Sequence, residues 1–250
     1  MSEDLYRATR DSHGFFKFIL RFVLKIMWSI GGAIDGVDGL PRVRGADIRD
    51  ALPMFRPGDF VLNGNNGGLS HIMLYVGEGQ VVHSMATEKT MRGTWGSLWD
   101  ALRRPVWWTF GLKEQTGVLE EAITGFLDRY ERDTWIVLRR DGLTEAQIGA
   151  GITHARSLVG KRYDYDFSAG DDEYYCTEII VEFLEAAGVE AVFETRRVVV
   201  PMLLDAQVIE PVAVLKADGV RAVHANEAAT RNWSEVLGDA CIYGEATPQS

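Results

Sequence analysis

A chain of 250 residues, 46% hydrophobic, 10% aromatic and 25% charged, is long enough to bury a sizeable core without staples. That composition excludes disordered, collagen-like and disulfide-scaffold classes. The 26 basic and 36 acidic residues leave a net charge of −10, against a general nucleic-acid binder, which needs a basic footprint. Two cysteines, Cys176 and Cys241, fit a reducing compartment, where cysteine is kept for packing or reactivity.

The chain opens with its most hydrophobic stretch, GFFKFILRFVLKIMWSIGGAI at 14–34. Lys17, Arg21 and Lys25 fall four apart and line one side of a helix. Phe15, Ile19, Phe22, Ile26 and Ile30 lie on another. Each cation at a bilayer centre costs about 2.5–3.5 kcal/mol on insertion scales, so the helix is expected not to span a membrane. It either lies in a membrane interface through 15–30 or packs on the domain's own core. Its flanks lack the plan of a secretory signal peptide. The expected location is cytoplasmic or peripheral to a membrane, with export by a specialised machine as a further route.

Beyond a Gly-rich connector, 46–54 reads as a short helix. The PGD at 57–59 is a turn that launches a strand over 60–63. GNNGG follows at 64–68. Two apolar runs, 71–76 and 80–84, flank a GEG hairpin turn. A strand is expected at 106–112, a helix at 116–131 and a strand at 135–139. Thr144 with Gln147 signals a capping box for a helix to about 159. The pattern Cys176, Ile179, Ile180, Phe183, Leu184, Ala187 marks a helix over 174–187, with Asp172 as its expected cap. A strand is expected at 208–215, and a last helix near 226–237. The fold class is α+β, an antiparallel sheet packed against helices. The expected organisation is an N-terminal helix and connector (1–45), one domain (46–216) and a C-terminal tail (217–250).

Three residues stand out for chemistry. Cys176 sits in the first turn of its helix, where free N–H groups and the helix dipole favour a thiolate. The alternative is a small buried hydrophobe. His71 opens one strand of the hairpin and His83 lies near the end of the other, so their imidazoles can meet across it. A histidine held by a second polar group and facing a helix-terminal cysteine is an arrangement for nucleophilic catalysis. His154 reads as solvated, and His13, His224 and Cys241 lack a motif. Asp164, Asp166, Asp171 and Asp172 lack calcium-loop spacing, and no metal site is expected. No dinucleotide or phosphate fingerprint is present, and no cofactor is expected.

The strings FRPGDFVLNGNNGGLSHIMLYVGEGQVVHSMA (55–86) and GKRYDYDFSAGDDEYYCTEIIVEFLEAAG (160–188) resemble the two halves of a circularly permuted, NlpC-like papain-type hydrolase. The likeness is to the YiiX-like branch, and the lecithin retinol acyltransferase group shares its His-before-Cys order. The resemblance implies Cys176 as nucleophile, His71 as general base and His83 as the residue that orients it. The Cys176 backbone N–H would form part of an oxyanion hole, with Tyr174, Tyr175 and Ser70 as further oxyanion or substrate-binding candidates. Thr177 stands where serine is commoner.

The expected function is a cysteine hydrolase that cleaves an amide, such as a peptidoglycan-type peptide, through an acyl-thioester. A lipid acyl hydrolase or acyltransferase at a membrane surface is the second expectation. A non-enzymatic membrane-associated binding module is the third. The expected partner is a peptide or lipid-like substrate.

Overall fold

The computed structural model describes residues 48–237 apart from 66, 86–116, 131, 165–166, 168–171 and 201–203, together with 241–242. The expected N-terminal helix and the strand at 106–112 lie outside the described residues. A helical turn, α1 (Ile48–Ala51), and a 3-10 turn (Leu52–Met54) lead to the PGD turn. Asp59 Oδ2 accepts the Arg56 N–H at 2.8 Å, and Arg139 grips both carboxylate oxygens at 2.7 Å. This bidentate pair on the buried Asp59 fixes the turn from which β1 (Phe60–Gly64) starts.

Strands β2 (His71–Gly77) and β3 (Gln80–Met85) form the expected hairpin. Its turn needs positive φ at Gly77, Glu78 and Gly79 (99°, 55° and 73°), which the two glycines supply at little cost. The expected helix at 116–131 is two elements. Residues Gly117–Ala122 form a strand, β4, against β3, and only Ile123–Arg129 is helical (α2). Pairing with β3 overrides the helical reading of this polar stretch.

Strand β5 (Thr134–Arg140) lies on the other side of β1. Helix α3 (Glu145–Ser157) begins with the expected capping box between Thr144 and Gln147. It packs against α4 (Cys176–Ala186). A two-stranded sheet, β6 (Arg196–Val200) with β7 (Leu204–Val208), precedes a short helix, α5 (Pro211–Leu215). The expected strand at 208–215 is therefore largely that helix: Pro211 opens it, where a missing N–H costs nothing.

The main sheet has the order β4-β3-β2-β1-β5-β8-β9. It continues past residue 216, because β8 (Val220–Ala225) pairs antiparallel with β5. Helix α6 (Glu227–Leu237) follows, and β9 (Cys241–Ile242) pairs parallel with β8, the one parallel pairing of the main sheet among the described residues.

Both faces of the sheet are covered, which explains strands that read as apolar runs rather than alternations. On one face Phe60, Leu62, Ile72, Leu74, Ile136 and Leu138 pack with Ile179, Ile180 and Phe183 of α4. On the other, Val61, Met73, Tyr75, Trp135 and Val137 pack with Ile123 and Phe126 of α2. No helix among the described residues is long and apolar enough to cross a membrane.

Candidate active site

Helix α4 starts at Cys176, two residues later than its apolar pattern suggests. Tyr175 takes the cap position in extended conformation. Its N–H donates to Glu178 Oε2 at 2.9 Å, so the carboxylate caps the backbone from inside the first turn. Asp172, the expected cap, instead pairs with Lys161 at 3.0 Å.

Cys176 is buried at the first helical position. Burial pushes its thiol above the ordinary range, against opposing hydrogen bonds from the Ile72 N–H, the Thr177 side chain and local backbone amides. The Thr177 hydroxyl lies 3.9 Å from the sulfur. The helix start was expected to favour a thiolate; removal from water outweighs it.

The Ile72 contact locates the sulfur. Pairing of β2 with β3 runs from the turn to Leu74 and Val82, short of the ends carrying the histidines. There the Ile72 amide points at Cys176, which comes from the α4 side of the sheet. His71 is the residue before Ile72, but its ring stacks on Phe126 of α2, on the opposite face, at 5.3 Å between centroids. The sulfur therefore neighbours the His71 backbone, and no hydrogen bond joins it to either imidazole among the described residues.

The two histidines do meet. His71 Nε2 lies 3.0 Å from His83 Nδ1, and both rings are buried. Phe126 covers His83 as well, edge-on at 4.8 Å. Burial, then the neighbouring His83 and Arg132 charges, hold His71 well below its ordinary pKa. Burial also lowers His83, partly offset by Glu121.

Glu121 was not singled out in the sequence. It stands on β4, and its Oε1 is 3.0 Å from His83 Nε2. Its other oxygen accepts from Arg129 Nη2 on α2. Burial alone would raise the Glu121 carboxyl, but His83 and Arg129 outweigh it and hold it below the usual range. Glu120, its neighbour, faces the other way and pairs with Arg156 of α3 at 2.8 Å. This period-two divergence of adjacent glutamates was the available signal, and the helical reading of 116–131 hid it.

Ser70 is exposed and its Oγ accepts from Arg132 at 3.2 Å. The Tyr174 carbonyl accepts from the Ser84 hydroxyl. The Tyr175 hydroxyl accepts the Ile209 N–H at 3.1 Å, and burial raises its pKa. His154, expected to be solvated, faces Glu182 of α4 at 2.7 Å. Cys241 pairs through its backbone with His224.

No group of three or more His, Cys, Asp or Glu side chains able to hold a metal occurs among the described residues. His71, His83 and Glu121 are strung in series, with their polar atoms aimed at one another rather than at one point.

No curated protein sequence matches the chain. Among solved structures, one described as the metalloprotein YiiX from Escherichia coli O157:H7 is similar, with a TM-score of 0.44 and 19% identity, over 67% of this chain and 96% of that one. The model of a family of permuted papain-like amidases, YaeF/YiiX, matches residues 62–231, a span that includes His71, His83 and Cys176. That is well over half of the sequence, and the chain belongs to the C92 family of permuted papain-like amidases.

Proposed function

We propose that the protein is a cysteine-dependent amidase in which Cys176 is the nucleophile, His71 the base and His83 its partner. The observation that carries this reading is the buried His71–His83 contact at 3.0 Å, beside a helix-terminal cysteine that meets the Ile72 amide. The resting pair is a neutral thiol and a neutral imidazole, since burial disfavours both charges. Catalytic hydrogen bonds often tighten only in the substrate complex. The reading requires the His71 ring to reach the Cys176 sulfur around the unpaired ends of β2 and β3 when substrate binds.

His71 then takes the thiol proton as sulfur attacks the amide carbonyl. The Cys176 backbone N–H faces the developing oxyanion. The amine leaves with the proton from His71, and an acyl-thioester remains. Water, deprotonated by His71, attacks the thioester; the acid is released and the thiol regains its proton. The substrate class proposed is a peptide-type amide.

The test is acylation by an activated acyl ester, read by mass spectrometry of the intact chain. Wild type should carry the acyl group on Cys176. Cys176→Ala should not, and His71→Ala should acylate about 10²–10⁴-fold more slowly. An adduct on Cys241, or an unchanged rate in His71→Ala, would overturn the assignment. Turnover of peptide amides over lipid amides by the wild type would support the substrate class, and the reverse preference would replace it with the lipid reading.

A further inference from the structure

We infer that Glu121 is a positioning residue that sets the tautomers of both histidines and so selects His71 Nδ1 as the basic atom. This rests on the reading of His71 as the base.

An ionised carboxylate only accepts, so the His83 Nε2 that lies 3.0 Å from Glu121 carries the hydrogen. A neutral His83 then has a lone pair on Nδ1. The neighbouring His71 Nε2, at 3.0 Å, must therefore donate. A neutral His71 protonated on Nε2 keeps its lone pair on Nδ1, a ring nitrogen with no hydrogen-bond partner among the described residues. Without the carboxylate the series has no fixed end. His83 Nδ1–H facing His71 Nε2 is then equally allowed, and that form protonates His71 on the wrong nitrogen.

Arg129 completes the device. Its guanidinium holds the second Glu121 oxygen and keeps the carboxyl ionised. It also lies over the Tyr130 ring at 5.3 Å. Phe126 packs on both imidazoles and covers the contact they share. When His71 takes the thiol proton, its positive charge lies two hydrogen bonds from an anion that is already oriented. The charged groups around the rings are Glu121, Arg129 and Arg132, with Cys176 as the titratable neighbour beyond Ile72.

Two readouts test this on the full chain. The first is nitrogen-15 NMR of the histidine rings above pH 7.5. Wild type should show His71 and His83 both protonated on Nε2. Glu121→Gln, whose amide oxygen still accepts, should keep that pattern, whereas Glu121→Ala should admit Nδ1–H forms. The second is the pH profile of kcat/KM with the acyl ester. Glu121→Ala should lose about 10–100-fold in kcat, a share of what acid–base catalysis supplies as a whole, with KM little changed. Glu121→Gln should lose less, and its acidic limb should move to lower pH because the imidazolium has lost its anion. If Glu121→Ala does not fold, the isosteric Glu121→Gln decides alone, and an unmoved acidic limb overturns the role. Wild-type rings protonated on Nδ1, or wild-type tautomers and profile in Glu121→Ala, would also overturn it. Persistent acylation in Cys176→Ala would instead sink the parent assignment, while the NMR arm still reads Glu121.

Discussion

At Cys176 two effects of opposite sign meet, and their magnitudes decide the outcome. A helix N-terminus stabilises an anion by about 0.3–1 kcal/mol, less than one pKa unit at about 1.4 kcal/mol per unit. Full burial moves a titratable group by up to about 3–5 units. The thiol accordingly rises above its ordinary value of 9.0. Alkylation of Cys176 by iodoacetamide should therefore be slow near neutrality and climb through pH 9. A rate that levels off below pH 8 would reveal a preformed thiolate and contradict the burial argument. For the same reason alkylation is a poor label for the proposed nucleophile, and a substrate-like acyl ester, which on that proposal recruits His71, is the better one. The placement of His71 and His83 on one hairpin and of Cys176 at a helix start was legible because those signals are local. The place of Glu121 beside His83 was not, because it depends on β4 lying beside β3, a pairing across residues that carry no local signature.

The elements repeat this division. Strands β1, β2, β3 and β5 and helices α3 and α4 follow from runs and periodicities within a dozen residues. Strand β4 and helix α5 do not, since pairing partners and a helix-opening proline decide them. Packing between helices adds a constraint that sequence pattern hides altogether. At Gly151, where α3 crosses α4, an added Cβ would lie 2.6 Å from both the Phe183 carbonyl oxygen and its ring. Gly149, on the same helix, has nothing within 4 Å of such an atom. The two glycines thus make a matched pair. Gly151→Ala should destabilise by about 1–3 kcal/mol through overpacking and push α4 from its seat. It should also slow acylation, because α4 carries Cys176 at its start. Gly149→Ala should stabilise by up to about 1 kcal/mol through helix propensity. Urea unfolding of both variants checks this. Equal effects would mean that α3 and α4 yield freely, and that the close approach at Gly151 does not fix the cysteine.

The whole molecule buries its candidate site between two cores, and that arrangement ties stability to pH. His71 and His83 are buried, and each is held below the ordinary 6.5. Above about pH 6.5 the rings are neutral in folded and unfolded chains alike and contribute no pH dependence. Below it the unfolded chain binds protons that the folded rings refuse, so stability falls as pH falls, until each folded pKa is reached. Each pH unit in that window removes about 1.4 kcal/mol per ring. Glu121 acts in the same direction. Its folded pKa is depressed, so the stability it contributes is present above its unfolded value and is lost as pH drops through the folded one. Urea unfolding at pH 7.5, 6 and 5 should therefore give a steadily falling free energy, starting well above the range where ordinary carboxylates titrate. His71→Phe keeps an aromatic ring against Phe126 and removes one proton site, so its slope between pH 6.5 and 5 should be shallower than that of wild type. Stability that holds constant from pH 7.5 to 5 would mean that the rings accept protons inside the fold. In that case burial would not be what keeps His71 neutral, and the basis given for the neutral resting pair would fail.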